Sequence, residues 1–194
     1  MTFNLNPSIF REYDIRGRAD VDLTDDFVEA LGRAYGTVLT RSGGQRVALG
    51  RDVRESGQRI RDAFERGLHA SGVNVLDIGV VPTPMVYFAL HTLEVDGGVV
   101  ITGSHNPPLW NGFKMCLGQS SLYGESIQAL RKIIETNDFE LGEGGTEGYD
   151  LYPDYARWIT ENIKTIDRPM KIVIDAGNGT GGLIAGSIYR ALGA

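Results

Sequence analysis

Ser104, His105 and Asn106 close an apolar run in VVITGSHNPPLWNGFKMCL, residues 99–117, with Pro107 and Pro108 behind them and Lys114 further on. The residue types describe a chemistry: a hydroxyl that can bond to an electrophile, an imidazole that can exchange a proton, an amide that can fix a loop, and an ammonium that can neutralise an anion. Ligands of parallel α/β sheets sit beyond the carboxyl ends of the strands, where this triplet falls. Gly103 allows a sharp or left-handed turn, and the prolines restrict the loop after it. Lys114 reaches the same pocket if the loop folds back, with Phe113 and Met115 alternating toward the core. Three readings compete. Ser and Asn side chains commonly bond local backbone at a strand end, with no chemistry involved. A Ser–His hydrolase fits poorly, because successive side chains on an extended segment point apart and no G-x-S-x-G elbow is present. The third is a serine that carries a phosphoryl group, its charge held by Lys114 and an arginine from elsewhere.

The elements that must position these residues alternate between helix and strand. LTDDFVEALGRAYGTVL predicts a helix with Thr24 as N-cap, acids in the first turn, and Phe27, Leu31, Ala34 and Val38 on one face; Leu23 and Val28 are spaced as a hydrophobic staple. RVALG reads as a short buried strand. SGQRIRDAFERGLHASG reads as a helix capped by Ser56, striped by Ile60, Phe64 and Leu68, and stopped near Gly72. VNVLDIG, GGVVITG and FKMCL read as strands, TPMVYFALHTL and ESIQALRKIIET as helices, the former with Pro84 in its first turn. The fold class expected is α/β, a mixed, largely parallel sheet covered by helices.

NDFELGEGGTEGYD, residues 137–150, reads as an exposed, mobile loop, and YPDYARWITENIK as a helix leading out of the first domain. KIVIDAGNGTGGLIAGSIYRALGA then reads as the first βα unit of a second α/β domain. The expected organisation is a domain over 1–150, a connecting helix over 151–169 and the truncated start of a second domain over 170–194, the whole being an N-terminal piece of a longer protein. GNGTGG, Gly177–Gly182, satisfies the glycine fingerprint of dinucleotide sites. A tight turn that lets a helix approach its strand is the favoured reading of it. A phosphate- or nucleotide-binding module built on that turn, or a non-catalytic domain, are the alternatives.

The 194 residues carry 19 Lys+Arg against 25 Asp+Glu, a formal charge of -6, with the basic residues scattered; this argues against a nucleic-acid surface or a membrane-binding helix. The single cysteine, Cys116, permits no intrachain disulfide and no cysteine-based zinc site, which suits a reducing cytoplasm. No run approaches the roughly 18 apolar residues of a membrane span, and the N-terminus has no apolar leader core.

TGSHNPPLWNGFK resembles the active-site serine signature of the α-D-phosphohexomutases, the phosphomannomutase/phosphoglucomutase family. FREYDIRG, LGRDVRESG, VVPTPM and IVIDAGNGTGG agree in order and spacing, so the resemblance covers nearly the whole chain. It implies an isomerase that interconverts hexose 1- and 6-phosphates of mannose or glucose through a phosphoserine, Ser104, with a hexose 1,6-bisphosphate as intermediate and activator. It implies Arg16, Lys114 and His105 at the catalytic centre, Asn106 and Tyr13 positioning loop and substrate, and Mg²⁺ bound through the phosphate of Ser104. The three aspartates of the family's D-G-D-x-D-R loop are absent from these residues. The remaining metal ligands, the sugar-selecting loop and the other domains are therefore expected beyond residue 194, and the fragment is expected to be inactive alone. Arg51, Asp52 and Arg54 are expected to form a structural ion-pair network near the site, His69 and His91 to be structural, and Trp110 to pack on its neighbours.

Overall fold

The structure, a computed structural model, describes residues 5–168 and 170–194. Residues 1–4 of the leader reading and Pro169 of the connecting segment lie outside the described residues. In chain order, a 3₁₀ turn at Pro7–Ile9 is followed by β1 (Ile15–Arg18), α1 (Asp25–Arg41), β2 (Arg46–Arg51), α2 (Gly57–Ala70), β3 (Asn74–Val80), α3 (Thr83–Thr92), β4 (Gly97–Ile101), β5 (Trp110–Leu117), β6 (Ser120–Ser121), α4 (Glu125–Thr136), β7 (Thr146–Gly148), α5 (Tyr152–Asn162) and α6 (Gly181–Ala191).

The strands form one sheet in the order β1-β5-β4-β2-β3-β7, with β6 as a short hairpin return on β5. The pairs β4-β2, β2-β3 and β3-β7 are parallel, whereas β1-β5, β5-β4 and β5-β6 are antiparallel. Because side chains alternate along a strand, each inner strand feeds two cores. Val47, Leu49, Val99, Ile101, Phe113 and Met115 point to the face covered by α1, α2 and α4, while Ala48 and Val100 point to the face covered by α3. The expected α/β layering and helix positions are observed. Leu23 and Val28 are both fully buried, as a staple requires.

Helices α1 and α2 meet through glycine. A Cβ on Gly67 would lie 2.1 Å from the Glu29 carbonyl oxygen, and one on Gly32 would lie 2.2 Å from the Phe64 carbonyl oxygen. Alanine is worth about 1 kcal/mol more than glycine inside a helix, but overpacking of backbone against backbone outweighs that gain. Gly67→Ala is therefore expected to destabilise the fold by about 2 kcal/mol, read as a lowered urea midpoint with an unchanged slope.

Four local expectations are corrected. Thr24 and Ser56 stand at the N-cap positions, but neither side chain makes the capping hydrogen bond. Ser56 Oγ instead accepts from Asn111 Nδ2 at 2.9 Å, tying the start of α2 to β5. Residues 137–150 are mostly exposed but not a free loop: β7 pairs in parallel with β3, and Asp138 and Glu140 both hold Arg41. An unpaired β3 edge exposes backbone donors and acceptors that a passing segment can satisfy. Residues 171–176 are not a strand, since no neighbour offers them a ladder; only the turn and α6 of that unit form.

Candidate active site

The path from β2 through α2 to β3 runs one way along the sheet, and the path through α3 returns to β4 on the other side of β2. The loops after β2 and β4 are consequently neighbours at the carboxyl ends of these adjacent parallel strands, where ligands of such sheets sit. Ser104 lies there, exposed, in a left-handed conformation with φ 51°. The sharp residue is thus Ser104 itself rather than Gly103. The segment is not extended, and the sequence argument that Ser104 and His105 must point apart fails for that reason: Ser104 Oγ lies 3.0 Å from His105 Nδ1. No carboxylate holds the other nitrogen of His105 among the described residues, so the pair lacks the third member of a hydrolase triad.

The loop is held from below. Ser104 N–H donates to Thr102 Oγ1 at 2.8 Å, and Asn106 donates from both its backbone N–H and its Nδ2 to the Gly103 carbonyl, each at 3.0 Å. Asn106 therefore acts on the loop itself. The Thr102 carbonyl accepts from an Arg16 guanidinium nitrogen, so Arg16 on β1 is connected to the serine through one residue. Arg16 is 3 % exposed, not the solvated strand-end arginine its position alone would suggest.

Strand alternation sends Lys114 to the opposite face from Phe113 and Met115, as expected. Its Nζ lies 3.3 Å from Asp14 Oδ2, the same oxygen that pairs with Arg16 Nε at 2.9 Å. Asp14 was not among the predicted site residues. Its signal was the two-residue spacing to Arg16 in YDIR, which places both side chains on one side of an extended segment. Asp14, 16 % exposed, pairs with two cations at once. Tyr13 is outside this network: 72 % exposed, it lines a groove of about 320 Å³ with Lys114, Tyr87, Ser121 and Tyr123. Under that groove the Cys116 thiol is pushed up by burial, with opposing pulls from the Ser121 hydroxyl and the Lys114 ammonium, and it stays a neutral core residue.

The family sequence model described as phosphoglucomutase/phosphomannomutase, alpha/beta/alpha domain I, matches residues 7–141. The chain belongs to the phosphoglucomutase/phosphomannomutase family. It is 46 % identical over 192 residues to a phosphoglucomutase of Neisseria meningitidis, covering 98 % of this chain and 42 % of that protein. It is 45 % identical over 189 residues to a phosphomannomutase/phosphoglucomutase of Pseudomonas aeruginosa, covering 97 % and 41 %. A crystal structure of a phosphoglucomutase/phosphomannomutase family protein from Burkholderia thailandensis superposes with a TM-score of 0.94 at 44 % identity, over 98 % of this chain and 43 % of that one. The chain thus spans less than half the length of these phosphohexomutases.

Within this phosphohexomutase fold, the described residues contain no group of three or more His, Cys, Asp or Glu side chains able to hold a metal. Asp14 and Asp52 are engaged by Arg16, Lys114 and Arg54. The glycine turn at 177–182 follows no strand among the described residues, so the context that would make it a dinucleotide site is missing. His69 Nε2 sits 2.9 Å from Thr146 Oγ1 in a surface hydrogen bond, and Trp110 lies under the Arg11 guanidinium at 5.7 Å, packed on a neighbour. No helix among the described residues is long and apolar enough to cross a membrane.

Proposed function

We propose that this chain is the phosphoserine-bearing portion of an enzyme that interconverts hexose 1-phosphate and hexose 6-phosphate, of mannose or glucose, in the cytoplasm. The observation that carries the reading is the exposed Ser104 hydroxyl on its left-handed turn, 3.0 Å from an imidazole nitrogen, on a loop tied through the Thr102 carbonyl to Arg16, which shares Asp14 with Lys114. In the forward half-reaction a sugar hydroxyl attacks the phosphorus, the bond to Ser104 Oγ breaks, the sugar proton ends on Ser104 Oγ with His105 as donor, and a hexose 1,6-bisphosphate forms. After that intermediate turns around, Ser104 Oγ attacks the other phosphorus, His105 Nδ1 accepts the serine proton, and the bond to the sugar oxygen breaks, that oxygen taking up a proton to give the product hydroxyl. Transfer of this kind depends on positioning and charge neutralisation, which Arg16 and Lys114 supply. Tyr13 and the groove beside Lys114 hold the sugar.

Mg²⁺ belongs to this reading: a phosphoserine adds about -1.5 to -2 charge, which a hard, oxygen-seeking cation offsets. Ser104 supplies one ligand, and the others come from sequence beyond residue 194. On this reading residues 1–150 form the first domain, 151–169 the connector, and 170–194 the start of a second domain completed by later sequence.

The test is phosphopeptide mapping of the full-length protein and of residues 1–194, each incubated with glucose 1,6-bisphosphate and Mg²⁺. Phosphate is expected on Ser104 of the longer protein, with little or no modification or turnover by residues 1–194. An unmodified Ser104 in the active full-length protein would overturn the phosphoserine mechanism, and robust turnover by residues 1–194 would overturn the division of labour.

A further inference from the structure

We infer that Arg54, on the loop between β2 and α2, is a positioning residue that holds Ser104 in its reactive conformation. The inference rests on the mutase reading for its kinetic consequence and on geometry alone for its structural one. Arg54 NH1 donates to the carbonyls of Pro107 at 2.7 Å and Trp110 at 2.8 Å, and NH2 to those of Ser104 at 3.1 Å and Asn106 at 2.6 Å. Its Nε faces Asp52 Oδ2 at 3.3 Å. All three guanidinium nitrogens are turned onto the protein, and the four carbonyls come from both sides of the Pro107–Pro108 pair. The four N–H donors of its two terminal nitrogens are all used this way and leave none there for a substrate phosphate. Arg54 therefore works through the loop.

Asp52 completes the clamp. Its Oδ2 also accepts the Gly103 N–H at 3.1 Å, and its Oδ1 accepts the Arg54 N–H at 3.0 Å. The guanidinium lies so close to Gly103 that a Cβ there would sit 2.2 Å from its Cζ, which makes glycine at 103 a requirement of this arginine. Ser104 at φ 51° is a costly backbone conformation for a residue with a Cβ, and it persists only where surrounding contacts over-determine it. Four carbonyls tied to one rigid, planar group provide that constraint. The expected ion-pair network of Arg51, Asp52 and Arg54 is accordingly revised: Arg54 and Asp52 hold the loop, while Arg51 turns away to Gln58 at 2.8 Å. Lysine, a single-point donor, cannot span the four carbonyls and is not a conservative replacement.

The experiment compares wild-type full-length protein with Arg54→Lys and Arg54→Met, measuring kcat, KM, thermal midpoint and amide hydrogen exchange of residues 103–110. A misplacement near 1 Å costs about 100-fold in rate. Both variants are expected to lose about 100-fold in kcat with KM within about threefold, to show faster exchange in the loop, and Lys is not expected to rescue. A wild-type kcat in Arg54→Lys, a loss confined to KM, or a kcat loss with unchanged loop exchange would each overturn the inference. Should the wild-type protein carry no phosphate on Ser104, the mutase reading fails instead, and loop exchange alone decides whether Arg54 holds the turn.

Discussion

Ser104→Ala in the full-length protein is expected to lower hexose phosphate turnover by at least about 10³-fold, because the group that forms and breaks the bond is gone. Stability should hold. The Ser104 side chain is exposed and its one hydrogen bond is to the exposed His105, so its loss falls within about 0.5 kcal/mol of wild type. The backbone contacts that shape the turn, Ser104 N–H to Thr102 and Ser104 carbonyl to Arg54, are untouched by the change. His105→Ala serves as the companion variant. It removes a proton acceptor and keeps the nucleophile, so its loss should be smaller, about 10²-fold or somewhat more. A Ser104→Ala protein that keeps a tenth of the wild-type rate would show that the phosphoryl group travels by another route. Equal losses in the two variants would instead mean that Ser104 and His105 act as one unit, as non-additive catalytic groups do.

Much of the frame was legible because it follows from periodicity. The alternation of helical and strand segments along the chain fixed the α/β layering, and the alternation of Phe113, Lys114 and Met115 fixed the side on which Lys114 emerges. The polar triplet at the end of β4 was legible by type and position. What escaped depends on partners distant in sequence. The left-handed turn falls on Ser104 because an arginine fifty positions earlier gathers the carbonyls around it, and no local window contains both. Asp14 was legible only in half: its spacing to Arg16 is local, but its second cation, Lys114, lies a hundred residues on. β7 is three residues long and too short to leave a periodic signal, yet the open edge of β3 gives it a place. Residues 171–176 erred in the other direction: their apolar pattern is strand-like, but a strand needs a neighbour to accept its hydrogen bonds.

Arg16→Met tests the other half of the site, where electrostatics and stability cannot be separated. Arg16 is buried between the Asp14 carboxylate and the Thr102 carbonyl. Removing one partner of a buried ion pair usually costs about 3–5 kcal/mol, because the remaining charge is stranded. Here Asp14 keeps Lys114 at 3.3 Å and some solvent contact, which sets the expectation at the lower end, about 3 kcal/mol. The Thr102 carbonyl loses its side-chain donor at the same time, and with it the link from β1 to the Ser104 loop. Loss of one preorganised charge from a phosphoryl-transfer site should lower kcat by about 10²–10³-fold. Stability is read from the urea midpoint at constant slope, and the coupling from a cycle with Asp14→Asn. If Arg16 acts through Asp14, the double variant is less destabilised than the sum of the singles by about 0.5–3 kcal/mol. Additive losses would mean that Arg16 serves the Thr102 carbonyl alone, and Lys114 would then be the sole cation that Asp14 positions.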